Sequence, residues 1–236
     1  MKVAIGNKTR EIPKYMYGWY NGLISQGFEV ILWNEEQESA FDFFAKHSPE
    51  VLLTNLQSLS RPVQKCVNNR NIRVLTREKE LAGPGYDSLV FHDAAPKPEL
   101  ASDLVFIGNP TPERVKLLKE VCKSSYNVKL FGNQSWPFTQ YCGSLDISEN
   151  KHAYSSARLS IDFGGDTSRP YEIVACDGIL LTSDSSRSEY FDNARYYSCS
   201  SDILKHLEEW EPTPTMAKGD YSYGNILRNL LENIPV

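Results

Sequence analysis

Short apolar runs alternate along the chain with amphipathic stretches, and the spacing predicts strands and helices in turn. Val3–Ile5 is an apolar run closed by Gly6-Asn7, and a helix is expected over Tyr15–Gln26, stopped by Gly27. Phe28–Trp33 is the next apolar run, and Ala40–Lys46 has helical periodicity up to Pro49. Val51–Thr54 follows as a strand, then a helix after Ser60 with Pro62 at an early position, then Ile72–Leu75 as a strand. Ser88–Phe91 closes this first series as a weaker strand. His92–Leu100, with two prolines and few apolar side chains, is expected to be a linker.

A second series begins beyond it. Asp103–Ile107 is a strand and Pro112–Lys123 a helix with Thr111 as N-cap; Val128–Phe131 is a strand ending at Gly132-Asn133. Lys151–Ala157 and Tyr171–Cys176 are short helices, alternating with strands at Leu159–Phe163 and Ile179–Thr182. Helices over Ser200–Trp210 and Gly224–Asn233 end the chain. Strands alternating with helices at this spacing imply parallel sheets with crossover helices. The expected fold class is α/β, with two facing Rossmann-like domains and a cleft at the carboxyl ends of their strands. The N-terminal one, 1–98, is small; the C-terminal one is 99–236.

Composition narrows the function. At 236 residues with 41% hydrophobic and 23% charged, the chain falls in the ordinary globular range. It holds no apolar stretch of the roughly 18 residues a membrane helix requires. The N-terminal apolar run is too short for a signal peptide, so a cytoplasmic protein is expected. Five cysteines (Cys66, Cys122, Cys142, Cys176, Cys199) without a C-x-x-C pair speak against a disulfide framework or a zinc site. Four scattered histidines give no metal-ligand spacing, so no metal site is expected.

The net charge of −5 is uneven: residues 1–98 balance at +1 and residues 99–236 at −6. Arg61, Lys65, Arg70, Arg73, Arg77 and Lys79 cluster against Glu78 alone, which suits either a solvated helix face or an anionic partner. Tyr15, Tyr17, Trp19 and Tyr20 form an aromatic patch, suited to core packing or to stacking on an acceptor.

Two loops carry the candidate chemistry. In Phe106-Ile-Gly-Asn-Pro-Thr-Pro-Glu-Arg, Gly108 and Asn109 follow a strand and precede a helix, where backbone N–H groups can approach a phosphate. Arg114, in the first helical turn, can direct a guanidinium at the same anion. In the stretch Ser168–Thr182, Arg169 and Glu172 share a face at a helix start. A carboxylate there can accept from ribose hydroxyls while the arginine neutralises a diphosphate; a surface ion pair is the alternative for these two residues. Trp136, on a loop after Phe131, is expected to line a ligand or to pack between the domains.

The pattern Arg-x-x-Glu, a small-residue helix, Asp-Gly and an apolar strand ending in Thr182 resembles the nucleotide-sugar-binding half of GT-B glycosyltransferases, the CgeB-like group especially. The resemblance runs over about residues 100–234. It takes in Asp103–Asn109 with Arg114 as a first phosphate loop, Tyr154–Ile161 before the donor site, and Lys218–Leu227 as a closing helix. Leu130–Asn133, Asp192–Tyr197 and the Arg169/Glu172 pair are also similar to the DNA β-glucosyltransferases of T-even phages. This resemblance implies a donor site built from Gly108, Asn109, Arg114, Gly132, Asn133, Leu145, Arg169 and Glu172, with the Gly143–Leu145 backbone holding uracil. It places Glu78 at the catalytic base, a Glu where the family has Asp, with Glu80, Asp87 and Asp93 as alternatives. The N-terminal part is much shorter than in those enzymes.

The implied reaction is transfer of a sugar, from a UDP-sugar above all, to an acceptor hydroxyl, with inversion if Glu78 is the base. No resident cofactor is implied, since arginines neutralise the leaving diphosphate; Mg²⁺ stays compatible with the site. The acceptor is either a hydroxymethylated base of double-stranded phage DNA, modified in the host cytoplasm, or a cell-surface or small-molecule hydroxyl. A sugar-nucleotide epimerase and a non-catalytic nucleotide-sugar-binding module use the same donor features.

Overall fold

Alternation within single strands decides how the N-terminal sheet is covered. In β1 (Lys2–Asn7) Val3 and Ile5 point into one apolar cluster and Ala4 into another; in β3 (Val51–Thr54) Val51 and Leu53 separate from Leu52 in the same way. Both faces are therefore buried, which is why these strands read as continuous apolar runs. The computed structural model describes residues 1–7, 14–54, 59–76, 85–165 and 167–232. Two compact units emerge: Met1–Leu89 with Tyr221–Val236, and Val90–Asp220.

The first unit has a four-stranded parallel sheet, ordered β2 (Glu29–Asn34), β1, β3, β4 (Arg73–Thr76). On one face lie α1 (Lys14–Ser25) and α8 (Tyr223–Glu232), burying Met16, Trp19, Leu23, Leu227 and Leu231 against Val3, Ile5 and Leu53. On the other lie α2 (Ala40–His47) and α3 (Arg61–Arg70), burying Phe43, Phe44, Val63 and Val67 against Trp33 and Leu52. Ser39 caps α2 by accepting from the Asp42 amide, and Asn71 ends α3 in the left-handed region.

The second unit has a five-stranded parallel sheet: β6 (Val128–Phe131), β5 (Ser102–Ile107), β7 (Ala157–Asp162), β8 (Leu180–Thr182) and β10 (Arg195–Tyr196). In chain order this is 2-1-3-4-5, a doubly wound arrangement whose switch point falls between β5 and β7. α4 (Pro112–Lys123), α5 (Ile147–Ser156), α6 (Arg169–Ala175) and α7 (Ser200–Glu208) complete it. β9 (Phe191–Asp192) pairs antiparallel with β11 (Met216–Ala217) apart from the main sheet. Leu104, Phe106, Leu118, Leu130, Leu159 and Ile203 belong to one continuous core. The expected α/β class with two Rossmann-like units is thus what the chain forms. Among the described residues, no helix is long and apolar enough to cross a membrane.

Three expectations change. Ser88–Phe91 is a turn rather than a strand: the Asp87 carboxylate accepts from the Leu89 amide at 3.1 Å and bends the chain. The final helix belongs with the N-terminal unit, where Tyr86 exchanges backbone bonds with Tyr221 and Tyr223. Compactness therefore divides the chain at 89/90 and at 220/221, where the sequence suggested a single boundary at 98/99. Of the aromatic patch, Trp19 is core, Tyr20 packs beside it and Tyr17 is exposed.

All five cysteines are free: Cys66, Cys122 and Cys176 are buried, Cys142 and Cys199 exposed. Burial pushes the Cys122 thiol up to about 11 and the Cys176 thiol up to about 12. Since the thiolate is the reactive species, titration with a chromogenic disulfide at pH 8 should show two fast thiols in the native protein. Denaturant should release Cys122 and Cys176; rapid reaction of either without it would contradict this packing.

Candidate functional site

The carboxyl ends of β5 and β7 gather most of the residues expected at a phosphate site. Gly108 and Asn109 leave β5, and Thr111 caps α4 by accepting from the Arg114 amide at 3.3 Å. That cap starts α4 with Arg114 in its first turn, where the side chain turns back and donates from Nη1 to the Asn109 carbonyl at 2.9 Å. The Arg114 guanidinium lies 5.3 Å from the Phe106 ring centre and 5.2 Å from that of Phe163. Arg169, opening α6, places its guanidinium 4.9 Å from the same Phe106 ring. A β-carbon added at Gly108 would come within 3.2 Å of Arg169 Nη2.

Two guanidinium groups against one aromatic ring repel each other. Partial burial and the neighbouring Arg169 charge lower the Arg114 pKa, while Asp162 opposes the shift. Arg169 Nε is buried and has no hydrogen-bond partner. Arg169 also hydrogen-bonds the fully buried Tyr154, whose hydroxyl is held far above its usual pKa, first by burial and then by the Glu172 charge. Arg169 and Glu172 therefore flank Tyr154 from one helical turn. The Ser168 hydroxyl donates to Glu172 Oε1 at 2.5 Å.

The loops behind the arginines are fixed by backbone contacts. The Gly108 amide donates to the Phe131 carbonyl at 2.7 Å, and the Trp136 indole N–H donates to the Gly108 carbonyl at 3.0 Å. Trp136 is 3% exposed and edge-on to Phe106, so it neither lines a ligand surface nor leaves its own unit; it holds the Gly108 loop. Gly132 packs directly on the Gly108 carbonyl and donates to the Gly143 carbonyl at 3.0 Å, bringing the 143–145 segment beside β6. Gln134 donates its amide to Asn109 Oδ1 at 3.1 Å.

Gly108, Asn109, Arg114, Gly132 and Arg169 thus converge, and Glu172 stands one turn along from Arg169. Asn133 is exposed on the loop after β6, and Leu145 is half-buried beyond Gly143. Glu78 and Glu80 lie outside the described residues. Asp87, the alternative in the first unit, accepts from Asn21 at 2.8 Å as well as from Leu89, a turn-stabilising role. Asp93 is exposed and raises the pKa of Asp177, after the larger effect of burial. Of the basic cluster, Arg61, Lys65, Arg70 and Arg73 are exposed; Arg77 and Lys79 lie outside the described residues. Among the described residues no three His, Cys, Asp or Glu side chains are grouped to hold a metal ion.

Sequence reasoning missed Asp162. It is fully buried at the end of β7, where Oδ2 accepts from the Gly164 amide and from the Thr182 hydroxyl, both at 2.9 Å. It shapes the turn through Gly164 and Gly165, both at positive φ. Arg187, 5% exposed, donates to the Gly165 carbonyl and pairs with Asp184 at 3.2 Å. The available signal was a carboxylate ending an apolar strand just before a glycine pair.

No family model and no curated protein matches this chain. Solved structures share its fold over nearly its whole length. A candidate UDP-N-acetylglucosamine 2-epimerase from Listeria monocytogenes matches with a TM-score of 0.58 at 11% identity, covering 98% of this chain and 94% of that one. An α1,3-fucosyltransferase matches with a TM-score of 0.51 at 14% identity, covering 99% and 90%. At such identities the likeness is one of fold: two Rossmann-like units of GT-B-like type.

Proposed function

We propose that this chain is a nucleotide-sugar-dependent glycosyltransferase whose Val90–Asp220 unit binds the donor, a UDP-sugar above all. The observation that carries the reading is the pair Arg114 and Arg169 against Phe106, at the switch point of a doubly wound sheet. Such a pair is unfavourable alone and becomes favourable around a multiply charged anion. The fold shared with a fucosyltransferase and a UDP-sugar epimerase supports the reading, as does the resemblance to CgeB-like and phage DNA glucosyltransferases.

In this reading the acceptor hydroxyl oxygen bonds to the anomeric carbon as the bond between that carbon and the β-phosphate oxygen breaks. The negative charge left on the diphosphate is taken up by Arg114, Arg169 and the N-terminus of α4. Glu172 receives the ribose hydroxyls, and the Gly143–Leu145 backbone faces uracil. A carboxylate removes the acceptor proton, and Glu78 is the residue proposed for it, in an inverting reaction. Neutralisation falls to arginines, with Mg²⁺ an added assay component rather than a required one. The acceptor is a hydroxyl: a hydroxymethylated DNA base in a phage-infected cytoplasm, or a cell-surface or small-molecule alcohol.

The direct test is a panel of UDP-, GDP-, dTDP- and ADP-sugars, followed by calorimetric binding and release of nucleoside diphosphate. One UDP-sugar should bind selectively, and its turnover should rise with a hydroxyl acceptor. Conversion of UDP-N-acetylglucosamine without acceptor would assign the site to an epimerase. Binding without any turnover would leave a nucleotide-sugar-binding module. Failure of every nucleotide and nucleotide sugar to bind would overturn the donor-site reading.

A further inference from the structure

In the first unit, the groove between α2 and α3 has a composition that packing does not explain. Pro62, Lys65, Cys66, Asn69 and Arg70 line it from α3 and Phe41 from α2, around a cavity of about 460 Å³. The α3 positions recur at i, i+3, i+4, i+7 and i+8, so they form one continuous helix face. The helix meets its sheet through Val63, Cys66 and Val67. Only Cys66 belongs to both faces, and the groove face is otherwise a second, cationic stripe.

The wall opposite is equally unspent. α2 buries Phe43 and Phe44 completely, yet leaves Phe41 70% exposed. Among the described residues, neither Lys65 nor Arg70 makes an ion pair or side-chain hydrogen bond, and no carboxylate lines the cavity. An exposed ring, an amide and two unneutralised cations are thus set around a space of the size that holds small ligands.

Each feature restricts the occupant. A hydrophobic segment would bury two cations without partners, which is costly. A bare inorganic anion leaves the ring and the amide unused. A flat heteroaromatic body carrying a phosphate uses all of them: it stacks on Phe41, meets Asn69 at its edge and brings its charge to Lys65 and Arg70. We infer that the α2–α3 groove is a nucleotide-binding site, distinct from the arginine pair. It takes a nucleoside monophosphate unit, either free or within a nucleic-acid strand. The inference rests on the first unit alone and stands whether or not the donor reading does.

The experiment uses the full chain carrying Arg169→Ala, so that binding at the arginine pair is suppressed. AMP, CMP, GMP and UMP, a short thymidine oligonucleotide, and ribose 5-phosphate are titrated by calorimetry and NMR. Saturable binding of a mononucleotide or of the oligonucleotide is expected, with ribose 5-phosphate at least fivefold weaker for want of stacking. Arg70→Glu should weaken binding tenfold or more and Phe41→Ala about fivefold or more, with unchanged melting temperatures because both side chains are exposed. Mononucleotide binding would identify a free nucleotide as the source, and binding of the oligonucleotide alone would identify a strand. Absence of binding by all ligands, or binding indifferent to both substitutions, overturns the inference.

Discussion

Arg169→Ala should lower kcat/KM for the nucleotide sugar by about 10²–10³-fold, the usual scale for losing one preorganised donor to a developing charge. The loss should fall largely on kcat, because the charge on the departing diphosphate exceeds that in the bound donor. Arg169→Lys should recover only part of it, since an ammonium restores charge but not the planar fork. Arg114→Ala should show a comparable defect. The double variant should lose less than the product of the two single losses if both guanidiniums serve one anion. Stability separates this role from a structural one. Removing Arg169 relieves its repulsion of Arg114 but deprives buried Tyr154 of a partner. The opposing effects should leave the unfolding free energy within about 1–2 kcal/mol of wild type. Full activity in Arg169→Ala, or a collapse of the fold, would sink its assignment as a diphosphate ligand.

Much of the fold was legible because its strands are buried on both faces. Val51–Thr54 and Val128–Phe131 match their strands residue for residue, and Pro112–Lys123 its helix, since capping residues and apolar runs agree there. The two-residue strands β9, β10 and β11 carry too few positions for any period to show. α5 begins four residues earlier than Lys151, because Asp146 caps it through the Ser148 amide and the polar first turn hides the helix. The neighbour of the last helix is hidden for a different reason. Periodicity marks an apolar face, here Leu227 and Leu231, without naming the surface it meets, and that surface is α1.

The candidate site was legible to the extent that its residues follow strand ends. Gly108, Arg114 and Arg169 were visible as a glycine after a strand and basic residues in first helical turns. Their convergence on Phe106 was not, because a phenylalanine within a strand reads simply as core. From the sequence Asp162 draws no assignment, and Trp136 suggests a ligand surface or a domain interface, for a related reason. Each acts on backbone from a buried position, Asp162 on Gly164 and Trp136 on Gly108, and such bonds leave no spacing in the sequence. Glu78 differs again: its assignment rests on resemblance alone, and its position lies outside the described residues.

Gly132→Ala should damage the protein more than any other single methyl added to these loops. Its β-carbon would sit 2.5 Å from the Gly108 carbonyl oxygen and 2.9 Å from the carbonyl carbon, both backbone atoms. No rotamer change relieves such a contact, so one of the two loops must move. Overpacking of this kind costs about 1–3 kcal/mol, read as a lower denaturant midpoint at unchanged slope. Function should suffer beyond stability, because the displaced carbonyl is the acceptor of the Trp136 indole and belongs to Gly108, where an added β-carbon would come within 3.2 Å of Arg169 Nη2. Gly27→Ala is the matched control. Gly27, just past α1 in the other unit, adopts a φ of +82° with open space around its α-carbon, so an added methyl strains its own backbone but strikes no neighbour. At comparable loss of stability, Gly132→Ala should weaken nucleotide-sugar binding at least tenfold more than Gly27→Ala does. Equal binding by the two variants would mean that the Gly108 loop does not set the position of the arginine pair.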